Sequence, residues 1–413
     1  MSAEFRIERL GAQGDGVAST ESGAVYIPFT LPGERVTASR TGDRADLLAV
    51  IEPSKLRVEP ACRHFGECGG CALQHMEDSA YREWKRGRVV DALRSRGIEA
   101  DVAPLVPCAP NARRRVTLSA WRTDAGMLLG YNRELSHTIV NIEECPIARP
   151  EIVAALEPLR SLARTLCNTD KAFRLTVTAT ASGLDVSVQG SGKLAERTRN
   201  AAADFALRAG FARLSVDGEI VIEPRKPVVR FGDVSVSPPP GAFLQAVASA
   251  EQAMADIVSA HLSKSKRLAD LFAGAGAFAL RLAKGAEIHA VEADAASLAA
   301  LDRGFRFGPG LKRVTTERRD LFVRPVTAKE LNAFDGLVFD PPRAGAESQS
   351  KEIAKSDVPL VAAVSCNPAT LARDLAILIE GGYLLQRVIP IDQFLWSPHV
   401  EAVALLAKKK RRR

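Results

Sequence analysis

No stretch of this chain approaches the run of roughly 18 apolar residues that a membrane-crossing helix needs. The first ten residues carry Glu4, Arg6, Glu8 and Arg9 and so lack the apolar core of a secretory signal. A membrane-embedded or exported protein is therefore not expected, and the expected location is the cytoplasm. Cysteine is scarce and odd in number, seven among 413 residues. Without an export signal, such a count argues against a disulfide framework, and a local cluster of cysteines then points to metal ligation or catalysis. No internal repeat is visible.

What is present is the make-up of a globular protein, 46% hydrophobic and 25% charged. At roughly 150 residues per domain, the length implies two or three domains. The net charge of +7 favours a polyanionic partner. Six of the positive charges lie in the terminal run Lys408-Lys409-Lys410-Arg411-Arg412-Arg413, so removing it leaves +1, and any basic surface on the body must be a local patch. The tail, residues 408–413, is expected to be mobile and solvated. It either adds counterion-release affinity for RNA or simply aids solubility.

Residues 1–55 read as short strands (5–10, 25–29, 36–39 and 47–51) divided by Gly11, Gly14, Gly16 and Pro32-Gly33, the pattern of a small all-β barrel. Residues 56–240 open with a cysteine-rich loop and a helix over 79–96. An α+β pattern follows: strands at 116–121, 127–131 and 138–142, a helix over 151–166, a hairpin of 173–181 and 184–188, and a helix over 193–208. Pro238-Pro239-Pro240-Gly241 reads as a linker. From 241 to 407, apolar strands at 267–271, 287–291, 313–316, 336–339 and 360–364 alternate with helical stretches such as 277–284 and 369–379. That alternation implies a doubly wound, Rossmann-like α/β domain, whose ligands bind at the carboxyl ends of the strands.

Asp270-Leu271-Phe272-Ala273-Gly274-Ala275-Gly276 follows one such strand and opens a helix. Two glycines let the backbone turn tightly and pass close to a ligand, and the helix start offers free N–H groups. Glu292 stands about twenty residues beyond Asp270, the spacing of an acid that holds ribose hydroxyls. Dinucleotide enzymes share this geometry, but the third glycine of their fingerprint is missing here. Asp340-Pro341-Pro342-Arg343 after a later strand also favours S-adenosylmethionine. Asp270 taken alone is equally a carboxylate that braces a loop.

Val364-Ser365-Cys366-Asn367-Pro368 ends another apolar strand. A lone cysteine is more often a buried structural residue. The Asn-Pro that follows favours a turn, which exposes the thiol. A thiol there suits the methylation of carbon 5 of uracil, a carbon too weak a nucleophile to attack a methylsulfonium unaided. Thiolate addition at carbon 6 makes carbon 5 nucleophilic, and a base must then remove its proton so that the thiol can leave. Glu401, in Ser397-Pro398-His399-Val400-Glu401, is the preferred base, with His399 as rival. Glu401 is otherwise a solvated carboxylate at a strand edge.

Taken together, these residues resemble the RNA uracil-5-methyltransferases over nearly the whole chain. Phe243-Leu244-Gln245, Asp270 to Gly276, Asp340 to Arg343, Ser365 to Pro368 and His399 to Glu401 stand in that family's order and approximate spacing. The resemblance implies that Gln245, Phe272, Glu292 and Asp340 contact S-adenosylmethionine, with Asp320 near the adenine. It makes Cys366 the nucleophile and Glu401 the proton acceptor. Val247 and Ala277 depart from it, since the family often has asparagine at both places. Cytosine-5 enzymes usually carry a cysteine beside the motif proline, where this chain has Pro342 and Arg343.

Cys62, Cys68 and Cys71 cluster, with Cys145 far downstream. Four thiolates hold either zinc or an iron–sulfur cluster, and spacing does not choose between them. The resemblance implies a [4Fe-4S] cluster, and it implies that the N-terminal barrel is a TRAM-like RNA-binding module. Arg113-Arg114-Arg115 is either a phosphate contact or a solvated turn. The target base must be unstacked into the pocket, so a loop or bulge is the expected substrate. The barrel and the cysteine loop together favour 23S ribosomal RNA over tRNA. No obligate protein partner is implied. From another class, a non-catalytic RNA-binding assembly factor would also fit the domain make-up, although not the intact Cys366, Asp340 and Glu401.

Overall fold

The computed structural model describes residues 2–134 and 136–409. At the N-terminus a six-stranded sheet runs in the order Ser2–Arg6, Arg35–Thr41, Arg44–Glu52, Gly23–Ile27, Gly16–Thr20, Arg9–Leu10. It closes on a small core of Phe5, Ile7, Ala18, Val25, Ile27, Val36, Ala38 and Ala45. Gly16, expected as a turn residue, instead opens a strand. Its role is close approach, since a Cβ there would lie 2.0 Å from the Thr30 hydroxyl.

The middle of the chain forms a seven-stranded sheet in the order Glu219–Ile222, Arg213–Val216, Gly183–Gln189, Phe173–Thr180, Arg115–Thr123, Gly126–Asn132, Ile139–Asn141. Its apolar face is covered by Leu156–Leu166 and Glu196–Arg208. The helix expected over 151–166 is broken into Pro150–Ala154 and Leu156–Leu166. Pro158 is the reason: its ring would clash with the carbonyl four residues back, and it is tolerated only in a first helical turn.

The C-terminal sheet carries the order Val314–Arg318, Glu287–Glu292, Arg267–Leu271, Gly336–Phe339, Leu360–Ser365, Glu401–Lys408, Tyr383–Ile391. The first five strands are parallel and the last two antiparallel, so the expected parallel sheet is in fact mixed. All but the edges is buried apolar sequence, such as Leu360–Ser365, which needs cover on both faces. The helices Ala248–His261 and Pro368–Glu380 are among those that supply it. The short hairpin Val229–Phe231 and Val234–Val236, upstream of the proline linker, joins this core too.

Lys408, expected in a solvated tail, instead ends the last strand. Its ammonium donates to the carbonyls of Ala354 and Ser356, because the strand pairing with Leu360 and Tyr383 extends to the residues beside it. Residues 410–413 of that tail lie outside the described residues. Among the described residues no helix is long and apolar enough to cross a membrane.

Candidate active site

Register brings the functional residues to one edge of the C-terminal sheet. Leu271 pairs with Phe339, Phe339 with Ala363, and Ser365 with Ala402. The next residue along each strand is therefore Phe272, Asp340 or Cys366, and the antiparallel neighbour begins at Glu401. Four segments separated by up to 130 positions meet because strands of similar length were laid side by side.

The glycine turn is built for close approach. Gly274 and Gly276 have φ of +54° and +96°, and a Cβ at Gly274 would meet nothing within 4 Å, leaving open space above the turn. Phe272 is also left-handed, at φ 63°. A bulky residue there costs about 1–3 kcal/mol and persists where the surroundings enforce it. Its ring lies 5.5 Å from Phe322. Asp270 is buried, and one carboxyl oxygen accepts the Ala279 N–H at 2.8 Å. The other is buried without a partner, and burial raises this carboxyl well above the usual range. Asp270 is thus the loop brace, and the helix expected over 277–284 forms only at Ala279–Leu282, after the turn.

Glu292 ends its strand with one oxygen accepting from Gly274 N–H at 3.1 Å and the other from Ala293 and Asp294 N–H. A carboxylate so held faces the glycine turn with its orientation fixed. Asp320 is exposed, and its carboxylate accepts from the Phe322 N–H.

A chain of side chains joins two acids. Asp340 accepts from the Gln245 amide at 2.8 Å. Gln245 accepts from the Gln393 amide at 2.7 Å, and Gln393 also donates to Glu401 at 2.5 Å. Gln245, Gln393 and Glu401 are buried. Desolvation pushes Asp340 up to about 7, opposed by the Gln245 bond and aided by Glu251. It pushes Glu401 up to about 8, with the Asp340 charge adding to the rise and the Gln393 bond opposing it. Both acids therefore hold protons near neutral pH far more than ordinary carboxylates do. The second oxygen of Glu401 is buried without any partner.

Cys366 is half-buried. Burial, then Glu401 and Asp340, push its thiol up to about 11, while Arg343 pulls the other way. Asn367 caps the following helix through Ala369 N–H and ties down Arg343 by its carbonyl, at 3.1 Å each. The rival base His399 is pushed down to about 4 by burial and by Arg343, whose guanidinium contacts its ring at 2.8 Å. An imidazole so depressed is a poor proton acceptor.

The four clustered cysteines meet elsewhere. Cys62, Cys68, Cys71 and Cys145 line one small recess with Tyr131 and Pro146. Burial raises the Cys68 thiol to about 11 and the Cys71 thiol to about 12, and the sulfurs of the other cysteines add to the rise. Among the described residues, no group of three or more His, Cys, Asp and Glu is disposed to hold a metal ion. The loop is tied to the active site, because Ala72 and Leu73 both donate to the Trp396 carbonyl, five residues before Glu401.

The arginine triplet is neither a solvated turn nor a free phosphate contact at its centre. Arg114 is buried and pairs at 2.6 Å with Glu251, itself buried. Gln393 escaped the sequence reading, as did Phe322. No periodic pattern marks a loop glutamine, and only its place eight residues before Glu401 hinted at a role.

The seven-stranded mixed sheet with its glycine turn defines an α/β methyltransferase fold. The tRNA (Uracil-5-)-methyltransferase family matches residues 313–409. An RNA methyltransferase of Mesorhizobium japonicum is 68% identical over the full length of both chains. The 23S rRNA (uracil(1939)-C(5))-methyltransferase RlmD of Halomonas elongata is 33% identical, over 98% of this chain and 89% of that one. The tRNA (uracil-54, C5)-methyltransferase of Pyrococcus abyssi, solved in complex with S-adenosyl-L-homocysteine, superposes with a TM-score of 0.76 over 98% of this chain and 99% of that one, at 24% identity. The chain belongs to the RNA uracil-5-methyltransferases and is an enzyme.

Proposed function

We propose that the protein uses S-adenosylmethionine to form 5-methyluridine in 23S ribosomal RNA, with Cys366 as covalent nucleophile and Glu401 as base. One observation carries the reading: a half-exposed thiol at a strand end stands beside a buried carboxyl oxygen that has no partner. Such an oxygen is costly unless something else comes to use it.

The residues fit the methyl donor. There is open space above Gly274, Glu292 is held rigid beside it, and Phe272 and Asp340 follow the ends of two adjacent strands. Gln245, Phe272, Glu292 and Asp340 would hold it, with Asp320 at the adenine end. When bound, it supplies an electrophilic methyl group. Cys366 sulfur, once deprotonated, bonds to carbon 6 of the uracil, and the electrons of the 5,6 double bond move toward the carbonyl at carbon 4. The enolate electrons then bond carbon 5 to the methyl group, whose bond to sulfur breaks with its electron pair left on the departing thioether. Glu401 accepts the proton from carbon 5, those electrons restore the double bond, and the carbon–sulfur bond breaks to return the thiolate.

The units would divide the labour. Residues 1–55 act as a TRAM-like RNA-binding barrel, 56–240 carry the cysteine loop, and 241–407 form the catalytic domain, all in the cytoplasm. A [4Fe-4S] cluster on Cys62, Cys68, Cys71 and Cys145 rests on the family resemblance and on four thiols lining one recess, although among the described residues these side chains are not grouped as metal ligands. Its role would be structural or that of an RNA contact rather than redox-catalytic; the loop that would hold it is bonded to Trp396 through the Ala72 and Leu73 N–H groups. Anaerobic purification should yield iron and sulfide in equal amounts with a broad visible absorption, lost in Cys71→Ser.

The 33% identity to a 23S enzyme over nearly the whole chain favours ribosomal RNA. Transfer RNA is the second reading, favoured by the fold shared end to end with a tRNA enzyme. Mapping 5-methyluridine in both RNAs with and without the gene decides between them. Loss of the methyl from 23S rRNA is expected, and loss from tRNA alone refutes it.

A further inference from the structure

We infer that Gln393 is a positioning residue that fixes which oxygen of Glu401 takes the proton from carbon 5. The inference rests on the proposed covalent mechanism and adds a residue to it. The hydrogen-bond polarity around Gln393 is settled at one point. The backbone N–H of Ala246 donates to the Gln393 side-chain oxygen at 3.0 Å. An N–H can only donate, so that oxygen must be the acceptor and the NH₂ must point the other way. The NH₂ then donates to both Glu401, at 2.5 Å, and Gln245, at 2.7 Å. Gln245, having its oxygen occupied, turns its own NH₂ to Asp340 at 2.8 Å.

Three consequences follow. The amide pair holds the two acids at a set separation as acceptors, and it cannot pass a proton between them without reversing against Ala246. Glu401 has one oxygen occupied by a donor and the other without a partner in a buried setting. The free oxygen offers both lone pairs with no donor competing for them, so it is the favoured proton acceptor. Gln245, Gln393 and Glu401 are buried and Asp340 is partly so, which limits competition from water at the Glu401 end of the chain.

The elimination step is then defined. The C5–H pair becomes the double bond, the proton goes to the free Glu401 oxygen, and the C6–S pair returns to Cys366. Gln393→Glu tests this, because it keeps the shape and the acceptor for Ala246 but replaces the amide donor with a carboxyl that either repels Glu401 or shares one proton with it. Full-length protein is given [5-³H]uridine-labelled 23S rRNA transcript, and separately tRNA transcript, with S-adenosylmethionine. Methylated adduct is read on a denaturing gel and proton loss by tritium release. Adduct should form at a rate within about threefold of wild type, while tritium release falls about tenfold or more and its acid limb moves to higher pH. Equal falls in both steps, or unchanged release and pH profile in folded enzyme, overturn the inference. Should Gln393→Glu fail to fold, Gln393→Met removes the donor without added charge and carries the same comparison. If wild-type enzyme itself forms no adduct on either RNA, the covalent mechanism has failed, and that outcome is read before any variant.

Discussion

The release of product should be governed by Glu401 in a way that pH exposes. Burial, reinforced by Asp340, pushes this carboxyl up to about 8. A base works only when ionised, so its active fraction is about 1% at pH 6 and about half at pH 8, a rise of about fiftyfold that levels off above. The sign is that of a raised acid: activity is lost as pH falls through the folded value. The Cys366 thiol is pushed up to about 11, so adduct formation should go on climbing above pH 9. The two steps are therefore separable. Methylated adduct and tritium loss from carbon 5 are followed together in single turnover at each pH from 6 to 9, so that the release step is read apart from adduct formation. Asp340→Asn removes a neighbouring negative charge and should shift the release limb to lower pH. A release rate flat between pH 6 and 8, or a limb that moves upward in Asp340→Asn, refutes the assignment of Glu401.

Cys366→Ala should abolish both adduct on 5-fluorouridine RNA and methyl transfer while leaving S-adenosylmethionine affinity within about threefold, measured by calorimetry. Undiminished methyl transfer would contradict it. Lys85 and Asp392 form a fully buried pair at 2.7 Å, with Lys85 also bonded to the Phe394 carbonyl. Lys85→Met leaves that carboxylate uncompensated and should cost about 3–5 kcal/mol in urea unfolding, with part regained on adding Asp392→Leu. Gly276→Ala places a Cβ at 2.8 Å from Leu301 in a left-handed position, and should destabilise by about 1–3 kcal/mol and weaken cofactor binding. An unshifted melting temperature together with unchanged affinity would count against that reading of the turn.

Much of the catalytic domain was legible because its signals are local. Short, largely apolar runs such as 267–271 and 360–364, alternating with helical stretches, read as strands covered on both faces, and the glycines after the first need only a tight turn. Cys366 and Glu401 were legible through the short motifs that hold them at strand ends. Gln393 was not: its partner Gln245 lies 148 residues away, and no spacing encodes that meeting. The burial of Arg114 was equally hidden, since Glu251 stands 137 residues downstream. The helix break at Ala155 could have been read from Pro158, and the missed antiparallel pair at the sheet edge could not.

The sequence by itself determined which segments become strands and turns, and which side chains end them, because those choices depend on neighbours a few residues away. Only the tertiary structure decided that Asp340 and Glu401 share one amide chain and that one oxygen of Glu401 is left free. The energy of a buried polar group depends on every partner around it, and those partners arrive from distant parts of the chain only when the sheet is assembled.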